Sequence, residues 1–325
     1  MPSTSPHDAR PCPVVRRGRA LKRCLVAASA IAIVLGAGAV IAFPCFLPFA
    51  IARAPNDGRS IDPRQDGEFL PAGGFLHLRV PVGPPSASIS CLVHSPSGDA
   101  AIRGTILVFH GVRDDKLSHI GTAVSLSGLG YRTVLVDSRG HGRSTGDHLT
   151  YGVQESRDML QVLAHLESKG LLQEPLGAVG FSYGGAVALQ LAAREKRVKA
   201  VVTVATFSSL REVLKDYVRH YAPFPGLLLT DGQLDRALKK AGEIARFDPA
   251  EADNLKAAST MSARLLIIHG QEDPKVPVSH AHRIHEAAKD KSELVVVPGE
   301  GHDSLIADRT GMIRKKIKAW FQRWL

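Results

Sequence analysis

The chain has 325 residues, of which 44% are hydrophobic and 22% are charged, and it carries four cysteines. This length is enough to bury a sizeable core, the composition excludes wholesale disorder, and four cysteines are too few for a disulfide scaffold. The net charge of +10 lies at the two ends, because residues 1–24 and 309–325 each hold six basic side chains and together only one acidic one. The body between them is nearly neutral, so we expect no nucleic-acid partner.

The first predicted element is an apolar helix over residues 25–43, which directly follows the basic tail 1–24 and contains no charged residue. At 1.5 Å per residue it would span roughly 28 Å, close to the hydrocarbon thickness of a bilayer. Pro44 and Pro48 are expected to end it. The positive-inside rule then predicts a single-pass anchor, with a cytoplasmic N-terminus and the domain on the exoplasmic or periplasmic side. A signal peptide cleaved near Ala37-Gly38-Ala39, which would release a secreted protein, and a buried helix of a soluble protein remain alternatives.

Residues 44–72 are predicted to be a linker to one α/β domain over 73–325, because 53–72 is rich in Pro, Gly, Asp and Arg. After it, short β-branched runs alternate with amphipathic helical patterns at 117–129, 150–169, 183–195, 278–290 and 304–324. This alternation predicts a mostly parallel, doubly wound sheet, opened by an antiparallel pair. The predicted strands are Phe75–Val82, Ile89–His94, Thr105–Phe109, Arg132–Val136, Leu176–Gly180, Val198–Val204, Arg264–His269 and Leu294–Val297.

A long segment of helical character separates two of these strands. Residues 206–262, which we call the insertion, contain helical patterns at 210–221 and 232–244 around a proline-rich kink at 222–226. A simple crossover would need fewer residues. We predict a helical lid over the carboxyl end of the sheet, with a peripheral helical pair as the alternative.

The segment Gly-Phe-Ser-Tyr-Gly-Gly at 180–185 follows a predicted strand and opens a predicted helix. This is the G-x-S-x-G pattern in its required context, where small flanking residues allow the sharp turn that exposes a serine hydroxyl. Ser182 is therefore the candidate nucleophile. A serine hydroxyl is weak until a base takes its proton and an acid orients that base.

Candidates for the acid and the base follow the next two predicted strands. Asp273 lies in the turn after the strand that ends at His269, and His302 follows Pro298-Gly-Glu-Gly. Both turns open at the carboxyl ends of parallel strands, where ligands bind in open α/β sheets. Glu272 is the alternative acid.

The order Ser182, Asp273, His302 resembles the α/β-hydrolase-fold serine hydrolases, most closely the monoglyceride lipase, lysophospholipase and serine aminopeptidase branch. The resemblance covers residues 73–325. It implies that Ser182 is the nucleophile, His302 the general base and then acid, and Asp273 the carboxylate that orients His302. It also implies an oxyanion hole formed by the backbone N–H groups of Tyr183 and Val112.

The expected function is cleavage of carboxylic acyl esters, including lipid or lysolipid esters, through an acyl-enzyme on Ser182. We expect no metal and no cofactor, and a membrane attachment through residues 25–43. A prolyl aminopeptidase-type serine peptidase, a thioesterase and a non-catalytic binding protein on a hydrolase scaffold remain alternatives. The spacing of His280, His282 and His285 predicts a solvated helix face rather than a metal site, and pairing of Cys45 with Cys91 is left open.

Overall fold

The structure is a computed structural model, and it describes residues 42–56, 74–98 and 101–325. The predicted basic tail 1–24, nearly all of the predicted apolar segment 25–43 and most of the predicted linker lie outside these ranges. Within them, no helix has both the length and the apolar character that crossing a bilayer requires. The chain divides into two compact units, residues 1–46 and 47–325, and the second contains the sheet.

Eight strands form one sheet with the spatial order β1-β2-β4-β3-β5-β6-β7-β8. β1 and β2 pair antiparallel, β2 also pairs antiparallel with β4, and the remaining pairs are parallel. The predicted sheet, with its antiparallel opening, is confirmed. The strands are β1 (Phe75–Val82), β2 (Ala87–His94), β3 (Thr105–Phe109), β4 (Arg132–Val136), β5 (Leu176–Phe181), β6 (Val198–Val204), β7 (Arg264–Gly270) and β8 (Ser292–Val297).

Helices cover both faces of the sheet. They are α1 (Ile120–Ser127), α2 (Val153–Ser168), α3 (Tyr183–Arg194), α4 (Leu210–Tyr221), α5 (Pro223–Leu227), α6 (Asp231–Ala245), α7 (Asn254–Thr260), α8 (Ser279–Ala288), α9 (His302–Ala307) and α10 (Met312–Trp324). α1 and α10 pack together on one face, and α2, α3, α7 and α8 pack in sequence on the other. Every residue of β3 and β5 is buried, as expected of strands covered on both faces.

The insertion lies between β6 and β7 and contains α4, α5, α6, a 3-10 turn at Pro249–Glu251, and α7. α7 packs on α3 and α8 and therefore serves as the crossover helix of the sheet. The two helical patterns read from the sequence are observed as α4 and α6. Each has a polar cap, because Ser209 accepts a hydrogen bond from the Glu212 N–H, and Thr230 accepts one from the Gln233 N–H.

The segment before the sheet differs from the sequence-based expectation. Residues 42–52 are helical and include Pro44 and Pro48, so the chain stays helical past both prolines. A proline inside a helix costs about 3 kcal/mol. Burial of Ile51 offsets this cost by roughly 1.5–3 kcal/mol, and its carbonyl accepts a hydrogen bond from the Tyr151 hydroxyl at 3.0 Å. Residues 47–54 therefore pack on the domain, where a linker was predicted.

The two cysteines within the described ranges, Cys45 and Cys91, are free thiols, one exposed and one buried in β2. Burial raises the pKa of the Cys91 thiol to about 12. A thiol in this state remains protonated and is a poor nucleophile, so Cys91 acts as a core residue.

Candidate active site

The turn between β5 and α3 holds Ser182 in a strained backbone conformation, with φ of 50° and ψ of −114°. A non-glycine residue in such a sparsely populated region costs about 1–3 kcal/mol. The neighbouring glycines permit this turn. A Cβ atom on Gly184 would collide with the carbonyl oxygens of Phe109 and His110, and one on Gly185 would collide with the Thr206 hydroxyl. The G-x-S-x-G-G pattern is thus a steric requirement of this turn.

The structure brings Ser182, His302 and Asp273 into one hydrogen-bonded row. Ser182 Oγ lies 3.0 Å from His302 Nε2, and His302 Nδ1 lies 2.6 Å from Asp273 Oδ2. All three are buried, with exposed fractions of 3%, 8% and 5%. An ionised carboxylate can only accept, so Nδ1 donates to Asp273 and Nε2 is left to accept the Ser182 proton. This is the proton arrangement that an activated serine needs.

The loop after β7 fixes the Asp273 carboxylate. Its Oδ1 accepts hydrogen bonds from the backbone N–H groups of Lys275 at 2.9 Å and Val276 at 2.8 Å, which leaves Oδ2 for His302. The alternative acid, Glu272, has an exposed side chain. Of the two candidate acids, Asp273 is the one that contacts His302.

The loop after β8 delivers His302 to the same edge. His302 is the first residue of α9, directly after Gly301. At the end of β7, a Cβ atom on Gly270 would collide with the Glu300 carbonyl, so the two loops approach closely because Gly270 has no side chain. The adjacent Asp303 points to solvent, and both of its oxygens lie 2.7 Å from Lys275 Nζ.

The loop after β3 lies on the other side of the serine. A Cβ atom on Gly111 would lie 3.8 Å from Ser182 Cβ, which puts this loop beside the nucleophile. His110 anchors the loop, because its Nε2 accepts a hydrogen bond from the Ser138 N–H at 3.0 Å. Burial lowers the pKa of His110, which keeps the ring neutral and able to accept. Val112 follows with an exposed fraction of 38%, and Tyr183 begins α3 at the positive end of the helix dipole. Their oxyanion role stays a prediction.

One residue near the nucleophile was not identified from the sequence. Tyr217 lies on α4 in the insertion, and its phenol is near enough to Ser182 and Asp273 for both to influence its pKa. Three buried aromatic rings also pack together in this part of the domain, since the Tyr151 ring lies 6.4 Å from the rings of both Tyr183 and Phe207. No motif marks Tyr217, because its position depends on how the insertion folds back over the sheet.

The histidines of α8 also differ from the sequence-based expectation. His280 is fully buried, and its two ring nitrogens bridge Ser208 Oγ at 2.8 Å and Asp216 Oδ2 at 2.9 Å. The prediction of a solvated face is wrong for His280, because α8 packs that side against the start of the insertion. Ser208 is fully buried too, so this second serine–histidine–aspartate row has no route to a substrate. Among the described residues, no group of three His, Cys, Asp or Glu side chains is arranged to hold a metal.

Asp137, in the loop after β4, is held in place by an ion pair and by hydrogen bonds from the backbone. It forms a buried ion pair with Lys116, and it also accepts hydrogen bonds from the backbone N–H groups of Lys116 and Arg143, each at 2.8 Å. In the same loop, burial lowers the pKa of His141 to about 3. These polar groups stabilise the loop beneath the site.

Comparison with known proteins supports a hydrolase. The model of the prolyl oligopeptidase family matches residues 118–325. The uncharacterized protein YfhR of Escherichia coli K12 is 23% identical over 256 residues, which cover 78% of this chain and 74% of YfhR. The lipase and lysophospholipase branch predicted from the sequence is not confirmed by the family match.

Two solved structures share the fold. The Pyrococcus furiosus esterase Pf2001 matches with a TM-score of 0.63 and 17% identity, covering 84% of this chain and 98% of the esterase. A puromycin-hydrolyzing peptidase of Mycobacterium tuberculosis matches with a TM-score of 0.61 and 18% identity, covering 79% of this chain and 41% of the peptidase. Together with the family match over 118–325, this fold shows that the chain belongs to the prolyl oligopeptidase family of α/β-hydrolase-fold hydrolases.

Proposed function

We propose that the protein is a serine hydrolase that cleaves carboxylic acyl esters through an acyl-enzyme on Ser182. The observation that carries this proposal is the hydrogen-bonded row from Ser182 Oγ through His302 to Asp273, with contacts of 3.0 and 2.6 Å. Three side chains from separate loops converge here in a geometry that serves nucleophilic catalysis and has no evident packing function.

In the first half-reaction, Ser182 Oγ attacks the acyl carbon while its proton moves to His302 Nε2. The carbonyl oxygen takes the negative charge of the tetrahedral intermediate. His302 then gives the proton to the leaving alkoxy oxygen, and the bond between that oxygen and the acyl carbon breaks. Asp273 stays ionised and stabilises the protonated imidazole through Nδ1.

In the second half-reaction, water attacks the acyl-enzyme while His302 takes one of its protons. The bond between the acyl carbon and Oγ then breaks, and Oγ receives the proton from His302. The N–H groups of Val112 and Tyr183 are the proposed donors to the negative carbonyl oxygen in both halves. Every proton transfer uses groups of this chain or water, so the scheme needs no cofactor.

Charge in the insertion favours an ester over a peptide with a free amino terminus. Such a peptide needs an available carboxylate to bind its ammonium group. The insertion has eight acidic side chains. Six of them form ion pairs: Glu212, Asp216, Asp231, Asp235, Glu243 and Glu251. The other two, Asp248 and Asp253, accept hydrogen bonds from backbone N–H groups at the starts of helical turns.

The surroundings of the serine also suit a neutral acyl group. Val112 is 38% exposed and directly follows Gly111, which lies beside the nucleophile. An exposed apolar side chain at this place can bind an acyl chain through burial of hydrocarbon. A lipid or lysolipid ester is therefore included in the proposed substrate class.

A serine peptidase is the second candidate, and the family match favours it because the matched family is named for oligopeptidases. Amide hydrolysis would use the same Ser182, His302 and Asp273 chemistry, with an amine in place of the alkoxy leaving group. The two candidates differ only in the substrate that the pocket accepts.

A matched substrate panel separates these candidates. Purified protein is assayed against p-nitrophenyl esters of increasing acyl length, lysophospholipids, acyl thioesters and aminoacyl or prolyl amides. Ser182→Ala serves as the inactive variant and Ser168→Ala, an exposed serine at the end of α2, as the control. We expect ester turnover that only Ser182→Ala abolishes. Faster turnover of amides than of esters would favour the peptidase, and no turnover of any substrate would contradict both proposals.

Membrane attachment is proposed as well, with residues 25–43 as a retained anchor. The support is the apolar run itself and the six basic residues before it. Alkaline carbonate extraction of cells that express the full chain, beside a variant lacking 25–43, tests it. Retention of the full chain in the membrane pellet is the expected result. A soluble product whose N-terminus begins after residue 37 would favour the secreted alternative.

A further inference from the structure

The hydroxyl of Thr206, the first residue of the insertion, lies against the turn that carries Ser182. Thr206 Oγ1 is 3.1 Å from the Ser182 carbonyl oxygen and 3.4 Å from the Val204 carbonyl oxygen, and the side chain is buried. A carbonyl oxygen can only accept, so the hydroxyl must donate, and the shorter contact assigns its proton to Ser182. Thr206 therefore binds the backbone of the proposed nucleophile from an element that carries none of the three residues of the hydrogen-bonded row.

The second glycine after the nucleophile makes room for this hydroxyl. A Cβ atom on Gly185 would lie 1.8 Å from Thr206 Oγ1, which is far closer than two such atoms can approach. The Gly185 N–H also donates to the Ser182 carbonyl oxygen, at 3.0 Å. The Ser182 carbonyl thus accepts from two donors, and both depend on Gly185. One is its own N–H, and the other fits only because Gly185 has no side chain.

The N–H group of Ser182 is held from the same segment. It donates to the Val204 carbonyl oxygen at 2.7 Å, and the residue between Val204 and Thr206, Ala205, has a left-handed backbone with φ of 54°. Such a conformation costs a non-glycine residue about 1–3 kcal/mol. A strained residue therefore follows each of the paired strands β5 and β6. Residues 204–206 hold both polar backbone groups of Ser182.

The geometry of the peptide bond links the Ser182 carbonyl to the proposed oxyanion donor. The C=O of Ser182 and the N–H of Tyr183 belong to one trans peptide, in which the two groups lie in a plane and point in opposite directions. Donors that fix the direction of this C=O therefore also fix the direction of this N–H. Tyr183 is the first residue of α3, where an N–H has no partner within the helix and can bind a substrate oxygen.

We propose that Thr206 is a positioning residue, which holds the peptide between Ser182 and Tyr183 so that the Tyr183 N–H points at the oxyanion; this inference rests on the proposed serine hydrolase function. Thr206 donates to the backbone and not to a reacting atom, and its proton is not transferred. Its hydroxyl acts before the reaction begins, because a donor to an oxyanion is effective only if its direction is fixed in advance.

The expected effect is smaller than the loss of an oxyanion donor, which costs about 10²- to 10³-fold in kcat. Without the Thr206 hydroxyl, the Ser182 carbonyl still accepts from the Gly185 N–H, and the Val204 carbonyl still accepts from the Ser182 N–H. No acceptor of this group is left without a donor, so the fold should persist. The Tyr183 N–H is retained but less firmly directed, and we expect a loss of about 5- to 50-fold in kcat.

The test compares serine with alanine at two buried threonines. Thr206→Ser keeps the hydroxyl and Thr206→Ala removes it, so these variants differ by one oxygen atom. Thr203→Ser and Thr203→Ala are the matched control pair, because Thr203 is fully buried on β6 and its hydroxyl has no hydrogen-bond partner among the described residues. For each variant we measure the melting temperature, kcat and KM on the best substrate of the panel, and the inhibition constant of an alkyl trifluoromethyl ketone, whose adduct with a catalytic serine carries an oxyanion.

The hydroxyl should matter at position 206 and not at position 203. Thr206→Ala should have a kcat about 5- to 50-fold below that of Thr206→Ser, with a similar KM and melting temperature. The inhibition constant should rise by a similar factor, because the ketone adduct resembles the tetrahedral intermediate. The two Thr203 variants should have equal kcat and equal inhibition constants. A purely structural hydroxyl at position 206 would lower the melting temperature and leave kcat and the inhibition constant of the folded enzyme unchanged.

The outcomes separate this inference from the function on which it rests. If the wild-type protein hydrolyses no ester and no amide, the proposed function fails. If the wild type is active and Thr206→Ser and Thr206→Ala have equal kcat and equal inhibition constants, the inference is overturned while the function stands. Should Thr206→Ala fail to fold, Thr206→Val, which also lacks the hydroxyl, replaces it in the comparison with Thr206→Ser. Failure of both to fold would assign the hydroxyl to stability and would overturn the positioning role.

Discussion

Replacing Asp273 by asparagine tests how the loop after β7 controls the proton on His302. The Asp273 carboxylate accepts three hydrogen bonds, two at Oδ1 from the backbone N–H groups of Lys275 and Val276 and one at Oδ2 from His302 Nδ1. Asparagine has a single acceptor oxygen. The two backbone donors hold that oxygen in the Oδ1 position, so the amide NH₂ faces Nδ1.

Two donors cannot share one hydrogen bond, so the imidazole must then carry its proton on Nε2. In that tautomer, His302 cannot accept the Ser182 proton across the 3.0 Å contact. A change of this kind lowers kcat by about 10⁴-fold, which corresponds to about 5 kcal/mol in the activation free energy. The shape of the side chain is unchanged, so the folded structure should persist.

The assay is steady-state hydrolysis of the best ester from the substrate panel, with a thermal melt of each variant. Asp303→Asn is the matched control, because Asp303 also lies beside His302 but is exposed and bonds only Lys275 Nζ. It should keep nearly full activity. An Asp273→Asn variant that retains a tenth or more of the wild-type kcat would refute the role given to Asp273.

Three further predictions concern the framework around the site. Gly184→Ala should destabilise the fold by about 1–3 kcal/mol in urea unfolding, because the added Cβ meets the carbonyl oxygens of Phe109 and His110. In Gly232→Ala, on α6, the added Cβ makes only an ordinary contact with the Arg236 guanidinium at 3.7 Å, so this variant should be neutral or slightly stabilising. Lys116→Met should cost about 3–5 kcal/mol, since it leaves Asp137 charged, buried and without its ion pair. Burial lowers the pKa of His141 to about 3, so below pH 6.5 the unfolded chain takes up a proton that the folded chain does not. The free energy of unfolding therefore decreases as the pH is lowered from 6.5. His141→Gln should remove roughly 1.6 kcal/mol of the loss in unfolding free energy between pH 6.5 and 5, and an unchanged pH dependence would contradict this assignment.

The sheet was readable from the sequence because local patterns determine it. Five-residue β-branched runs such as Thr105–Phe109 are buried on both faces, and the alternation with helical patterns permits only a mostly parallel arrangement. The convergence of Ser182, Asp273 and His302 was also predictable, since each follows a parallel strand and all such strands end at one edge.

The features that were missed depend on contacts between distant parts of the chain. Tyr217 and His280 have no local signal, because their positions depend on how the insertion packs against α8 and over the β5 turn. The helix over 42–52 was misjudged for a similar reason. Prolines argue locally against a helix, but burial of Ile51 and its bond to Tyr151 come from residues about 100 positions away.

The central claim is that Ser182 is an activated nucleophile, and a fluorophosphonate probe tests it most directly. Reaction of the probe with the purified protein, followed by peptide mapping, should give one adduct, located on Ser182. Ser182→Ala should not react, His302→Gln should react far more slowly, and Ser168→Ala should react like the wild type. Absence of labelling in the folded wild-type protein, or labelling that persists in Ser182→Ala, would contradict the account.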